Sequence, residues 1–164
     1  MPETMFINGT MVKASGSFTP AAASYTAGNI ISVAQEFVFT DAKGRTVPPG
    51  SLIRLMSSVM KVAASALISG EGAYTAHAYS VTPPSARADN TAWARASGDL
   101  SAYRGSIALG TPVAAGGTCY VKTQFSDVQD FEVIGNSLFL ELVNAGTFVA
   151  AAVARQVFLY GFLV

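Results

Sequence analysis

The chain is short of the residues that most reaction chemistry uses. It holds one cysteine, Cys119, and one histidine, His77, in 164 residues. A single cysteine excludes an internal disulfide and any metal site built on several thiolates. A single histidine leaves no second imidazole to share proton transfer or ligation. Charge is scarce as well: Asp, Glu, Lys and Arg make up 12% of the residues and the formal net charge is zero, against about 25% charged residues in ordinary soluble domains. A lone monomer would have little charge to spread over its surface, whereas a subunit covered by partners needs less. The basic residues, from Lys13 to Arg155, are scattered singly. They form no stripe that would neutralise a phosphate backbone, so no nucleic-acid partner is expected. Uninterrupted apolar runs are missing too. Arg54 and Lys61 break SLIRLMSSVMKVAASALI, and Glu141, Asn144, Arg155 and Gln156 break the closing segment, so no membrane span is expected. The opening MPETMFINGT has no apolar run of signal-peptide length, which points to a soluble chain made in a cytoplasm.

What is present is hydrophobic side chains, 51% of the total, enough for one sizeable core in a chain of single-domain length. They fall in short runs separated by turn signals. SYTAGNIISVAQEFVFT, SLIRLMSSVMKVA, AYTAHAYSV, RGSIALG, TCYVKTQF, NSLFLELVN and VARQVFLYGFLV are rich in β-branched and aromatic residues, and DAKGRTVPPG, SGEG and AAGGT divide them. About eight short strands are predicted: a mainly β, single-domain β-sandwich or jelly-roll-like fold. Two stretches also admit a helical period, MSSVMKVAASALI and AGTFVAAAVARQ.

Residues 1–20 show neither period. They mix small polar residues with Met5, Phe6, Ile7, Met11, Val12 and Phe18. A loosely ordered terminus is the plain reading, but disordered tails are usually poor in such side chains, so the expectation carried forward is an extended N-terminal arm whose hydrophobes dock on a neighbour, ahead of a domain over 21–164.

The stretch SVTPPSARADNTAW, residues 80–93, is a predicted structural corner. Pro83 and Pro84 cannot continue a central strand. Asp89, beside Asn90, is placed to cap a short helix over Thr91–Ala96, with Trp93, the one tryptophan, plugging the corner. A catalytic reading of Asp89 or Asn90 lacks partners. A Cys119–His77 nucleophile–base pair is disfavoured because each residue sits in a predicted strand among apolar neighbours. The segment DVQDFE, with Asp127, Asp130 and Glu132, is read as a solvated loop; it lacks the glycine and spacing of an EF-hand loop. AAGGT has adjacent glycines but no P-loop lysine, so it is read as a turn. No catalytic residue, cofactor or metal site is predicted.

The collinear order of these pieces resembles the head decoration, or capsid cement, proteins of tailed bacteriophages. The resemblance rests on Ser24-Tyr25-Thr26-Ala27-Gly28-Asn29-Ile30-Ile31 as the opening strand and Pro84-Ser85-Ala86-Arg87-Ala88-Asp89-Asn90-Thr91-Ala92-Trp93 as the corner. Asp99-Leu100 with Gly105-Ser106-Ile107 follows, and Leu138-Phe139-Leu140-Glu141-Leu142-Val143-Asn144-Ala145-Gly146-Thr147-Phe148 makes a closing hairpin. It spans roughly residues 24–164. The strand before the corner, AHAYSV, departs from the larger aliphatics of the pattern, and Ser32 stands where the pattern has a glycine. The resemblance implies a non-enzymatic virion protein on the capsid exterior, binding across major capsid protein subunits, often as a homotrimer. A tail, collar or head-fibre component is the nearest alternative. A carbohydrate- or receptor-binding β-sandwich is the next, with Tyr74, Tyr79, Trp93, Tyr103 and Tyr120 as its candidate aromatic platform.

Overall fold

The structure, a computed structural model, describes residues 8–83 and 85–164. It is mainly β. Among the described residues twelve strands follow in order: β1 (Met11–Phe18), β2 (Ser24–Tyr25), β3 (Ile30–Val38), β4 (Thr40–Asp41), β5 (Leu52–Val62), β6 (Tyr74–Tyr79), β7 (Tyr103–Gly110), β8 (Val113–Ala114), β9 (Cys119–Glu132), β10 (Ser137–Asn144), β11 (Phe148–Val149) and β12 (Arg155–Leu163). A six-stranded sheet has the order β4-β1-β12-β5-β9-β8, a four-stranded sheet the order β3-β10-β6-β7, and β11 pairs with β2. Every pairing is antiparallel. No helix among the described residues is long and apolar enough to cross a membrane.

Alternation explains which side of each sheet is buried. In β12, Val157, Leu159 and Leu163 point into the core while Gln156, Phe158, Tyr160 and Phe162 point away. The four-stranded sheet contributes Ala76 and Ala78 from β6, Ile107 and Leu109 from β7, and Leu138, Leu140 and Leu142 from β10 to the same core. The chain passes back and forth between the two large sheets, so their inward faces share that core. Neither stretch with a rival helical period is helical: MSSVMKV lies in β5 and AASALI is irregular beyond it, while of AGTFVAAAVARQ only Phe148–Val149 and Arg155–Gln156 are strand. In β5, packing against both neighbouring strands overrides the weak helical preference of Met56 and Met60.

The N-terminal expectation is corrected over Met11–Phe18. This segment is not an arm but β1, fully paired with β12 from Met11↔Phe162 to Phe18↔Arg155. Val12 and Phe18 belong to the core, and Met11 stays exposed. The alternation was masked because two inward positions are Ala14 and Gly16. A Cβ on Gly16 would fall 2.6 Å from the Phe37 ring, so only glycine fits there. Met5, Phe6 and Ile7 lie outside the described residues. The acidic segment is corrected too. DVQDFE is not a loop but the distal half of β9, where Arg54↔Asp130 and Leu52↔Glu132 face each other across β5 and β9.

Candidate functional site

The corner grows into a loop that closes over the outer face of the four-stranded sheet. The amide of Ser80 donates to Ala102 O at 2.8 Å, so the chain leaves after β6 and returns at β7 through one neck. Between these points it crosses β10 and β6, and it adds a short rung to β3 through the amides of Ile30 and Asn90. The Trp93 amide donates to Gly28 O at 3.0 Å. Pro83 is buried at the start of the loop; Pro84 lies outside the described residues. The predicted helix over Thr91–Ala96 is absent. A single 3-10 turn occurs instead at Ser97–Asp99.

Asp89 is therefore no helix cap. Its carboxylate accepts from the Ala21 amide at 2.9 Å, the Tyr25 hydroxyl at 2.6 Å and the Ser32 amide at 2.6 Å. It ties the loop to the approach to β2 and to the start of β3. Burial, reinforced by Asp89, pushes the Tyr25 hydroxyl well above its ordinary pKa. Asn90 and Ser32 both adopt left-handed backbone, with φ of 64° and 67°. Asn tolerates that region; serine is strained there. A glycine at position 32 would adopt this backbone without that strain.

Under the loop sits a buried ionic cluster. Glu141 lies in β10 between Leu140 and Leu142, points outward beside His77 of β6, and is wholly buried. Its carboxylate accepts from both sides: Arg87 Nη1 at 3.0 and 3.1 Å, Tyr79 hydroxyl at 3.0 Å, and Trp93 Nε1 at 3.1 Å. Arg87 Nη2 also donates to Ala94 O and to Asp99 Oδ2, the latter at 3.0 Å. The other Asp99 oxygen accepts from the Ser85 amide. One guanidinium thus holds two buried carboxylates, a charge-assisted arrangement suited to the planar fork of arginine.

His77 closes the cluster on the β7 side. Its ring stacks on Trp93 with centroids 3.6 Å apart and planes 9° apart, and Nδ1 lies 3.2 Å from the Tyr103 hydroxyl. Arg95 rests over the Tyr103 ring. Burial, with Arg87 and Arg95 nearby, pushes the imidazole down to about 4. Burial and the Glu141 carboxylate push the Tyr79 hydroxyl up to about 12, against the pull of the Trp93 N–H. At neutral pH the imidazole is thus uncharged and a weak base, and the phenol keeps its proton. Trp93 is half-buried, a lid on His77 rather than a core plug.

Cys119 does not meet His77. It faces the core from β9, while His77 faces outward from β6. Burial and the Glu71 carboxylate raise the Cys119 thiol, which keeps it in its unreactive protonated form. Among the described residues no three of His, Cys, Asp and Glu gather as metal ligands would. Asp130 is held by Arg54 through two hydrogen bonds of 2.6 and 2.7 Å; this partner holds its carboxyl below the usual range.

A second buried ion pair locks one end of the fold. The side chains of Arg155 and Glu71 are both wholly buried and meet at 2.8 Å. Arg155 also donates to the Tyr74 hydroxyl and to the carbonyl oxygens of Ala151 and Val153. Beside it, Asn144 bridges Gly72 in both directions and accepts from the Gly146 amide. There the two backbones nearly touch: a Cβ on Gly146 would lie 1.9 Å from Gly70 O.

The outer face of the six-stranded sheet is different in kind. Its successive rows read Lys13–Tyr160–Ser57–Gln124, Ser15–Phe158–Val59–Lys122 and Gln156–Lys61–Tyr120 across β1, β12, β5 and β9. Phe158 and Tyr160 are half-buried, and Tyr120 and Met11 are exposed. A groove of about 320 Å³ runs along the β1 side between Lys13, Tyr160, Phe158 and Glu36. No described segment of the chain crosses this face. Neither a family model nor a curated protein matches the chain.

The residues that bind the loop were legible only in part. Asp89, Asn90 and Trp93 were singled out, although for a different local geometry. Arg87, Asp99 and Glu141 were not, and Tyr79 stood only among the aromatic platform residues. Glu141 and Arg87 are 54 positions apart, so no local spacing joins them. The signal available was a lone carboxylate inside the apolar run LFLELV, since a charge buried in a strand demands a partner.

Proposed function

We propose that this chain is a structural virion subunit that decorates and stabilises a tailed-bacteriophage capsid by binding across major capsid protein subunits. It acts as a jelly-roll-like β-sandwich, assembled as a homotrimer on the capsid exterior, and performs no catalysis. The observation that carries this reading is the contrast between its two sheet faces. The ionisable groups under the loop are engaged with one another, an arrangement suited to holding chain in place. The opposite face offers aromatic and lysine side chains over which no described segment of the chain passes. The collinear sequence pattern supplies the class of assembly. A cementing subunit works through added contact area: at about 25 cal/mol per Å² of apolar surface removed from water, small patches repeated over a lattice add up, and a trimer's several attachments slow release.

The test is the copy number of the chain in purified virions relative to the major capsid protein, by quantitative mass spectrometry. A number comparable to the capsid protein supports cementing, and shells lacking the chain should then lose integrity at lower temperature. A handful of copies moves the protein to the tail, collar or a head fibre. Absence from particles sinks the structural reading.

A further inference from the structure

We infer that the outer face of the six-stranded sheet is the docking surface, and that its occupant is an acidic protein surface: carboxylates set around an apolar contact on a chain other than this one. The inference deepens the decoration reading and rests on it.

The face has an apolar centre and a cationic frame. Phe158 and Tyr160 stand in β12, the strand flanked by β1 and β5, with Tyr120 on β9 beyond. Lys13, Lys61 and Lys122 surround them from β1, β5 and β9. All three lysines are exposed, and none has an ion-pair partner among the described residues. Lys61 lies over the Phe158 ring, 5.1 Å from its centre. Of the seven other cations, Arg45, Arg54, Arg87 and Arg155 each hold a carboxylate at 3.0 Å or less and Arg104 meets Glu132 at 4.0 Å, while Lys43 and Arg95, like the three lysines, have no ion-pair partner among the described residues. The three central rows carry no carboxylate; Glu36, at the β1 rim, is engaged by the Ser137 hydroxyl. From β1 to β9 the frame spans about 14 Å, three strand spacings, enough for a short segment or hairpin edge of a partner.

Charge complementarity selects the occupant. A second copy applied face to face would set lysines against lysines. Like charges across an interface suppress association, so a two-fold pairing through this face is disfavoured. Single-stranded nucleic acid needs open ring faces for stacking and a basic groove to follow. Here the rings of Phe158 and Tyr160 are half-covered by neighbours, and only three ammonium groups serve the face. An acidic protein surface satisfies both halves of the patch: carboxylates meet the lysines, and an apolar residue covers the rings.

The test is amine footprinting of the full-length protein, free and on purified virions, with acetic anhydride as the probe and carbodiimide to join touching ammonium and carboxylate groups. Lys13, Lys61 and Lys122 are expected to lose about tenfold or more in acetylation rate on the particle, the change that 1.4 kcal/mol of occupancy produces. At least one should couple to a carboxylate of a different chain. If the protein is present on particles and these amines react as fast as in the free protein, the docking face is overturned while decoration stands. If the protein is absent from particles, decoration falls and takes the docking face with it. Carbodiimide products that join only copies of this chain through these lysines would make a second copy the occupant. Binding of a labelled oligothymidylate by the free protein, lost in Tyr160→Ser, would make it nucleic acid. Either result overturns the inference. Tyr160→Ser and the three Lys→Glu changes lie outside the core, and circular dichroism verifies that each variant is folded.

Discussion

The two large sheets treat their outer faces in opposite ways. The four-stranded sheet places Glu141, His77 and Tyr79 outward and then buries them under its own loop. The six-stranded sheet places Phe158, Tyr160 and three lysines outward and adds no described segment over them. The lesson concerns how a chain of low charge spends what it has. Polar groups are set where the chain itself supplies their partners, in fixed geometry, and removing one partner leaves a desolvated charge. Phe158, Tyr160 and the three lysines are set where no described segment of the chain closes over them.

The largest expected effect breaks the covered face. Arg87→Met removes the one guanidinium that Glu141 and Asp99 share. We expect a loss of about 3–5 kcal/mol in unfolding free energy, the range for breaking a buried pair from one side. Urea denaturation at pH 7 measures it; a loss under about 1 kcal/mol would mean the cluster behaves as a surface ion pair. Trp93→Ala ranks next. It removes the stack on His77 and the donor to Glu141, but the ring is only half-buried. The expected loss is about 2–3 kcal/mol, below the range for a fully buried tryptophan.

The same face carries a pH dependence. His77 has a folded pKa of about 4, depressed from 6.5. Between those values the unfolded chain binds a proton that the folded chain refuses, so unfolding becomes easier as the solution is acidified. Stability should be flat above about pH 6.5 and fall on the way to pH 4; the full shift corresponds to about 3 kcal/mol, and solvent screening of the partly exposed ring lowers the expected loss to about 2 kcal/mol. Denaturation at a series of pH values checks this. His77→Phe keeps the stacked ring and should flatten the slope; an unchanged slope would assign it to the carboxylates instead.

The strand order was hidden from the sequence, but the strands were not. β5, β6, β9, β10 and β12 announce themselves because β-branched and aromatic residues recur between clear turn signals. β1 escaped because Ala14 and Gly16 fill inward positions with almost no side chain, so half of its period looks blank. The loop's anchors escaped for another reason. Asp89 reads locally as a cap, and only the fold brings Ala21, Tyr25 and Ser32 to its carboxylate. Arg155 in VARQVFL and Glu141 in LFLELV were visible as charges in apolar strands. Their partners, Glu71 and Arg87, stood in distant loops with no spacing rule to select them.

A smaller effect sharpens the account of the loop anchor. Ser32 holds φ at 67° so that its amide can reach Asp89. Ser32→Gly keeps that amide and removes the Cβ strain. We expect a gain of about 0.5–1 kcal/mol, read as a higher urea midpoint with unchanged slope. A loss instead would mean the serine side chain contributes more than its backbone costs.

The smallest expected effect falls on the bare face, and its smallness is the point. Lys13, Lys61 and Lys122 have no ion-pair partner among the described residues, so reversing each to glutamate removes no fixed contact beyond the loose approach of Lys61 to Phe158. Each single change should move the unfolding free energy by less than about 0.5 kcal/mol, the usual range for surface positions. The triple reversal should stay within about 1 kcal/mol of the sum, since Lys61 and Lys122 are diagonal neighbours across β5 and β9 and like charges there couple weakly. Isothermal urea titration of the four variants measures this directly. A loss of several kcal/mol would place these lysines in the folding energy and erase the contrast between the faces. A near-zero effect would show that these lysines carry none of the folding energy, in contrast to Glu141 and Arg87 under the loop.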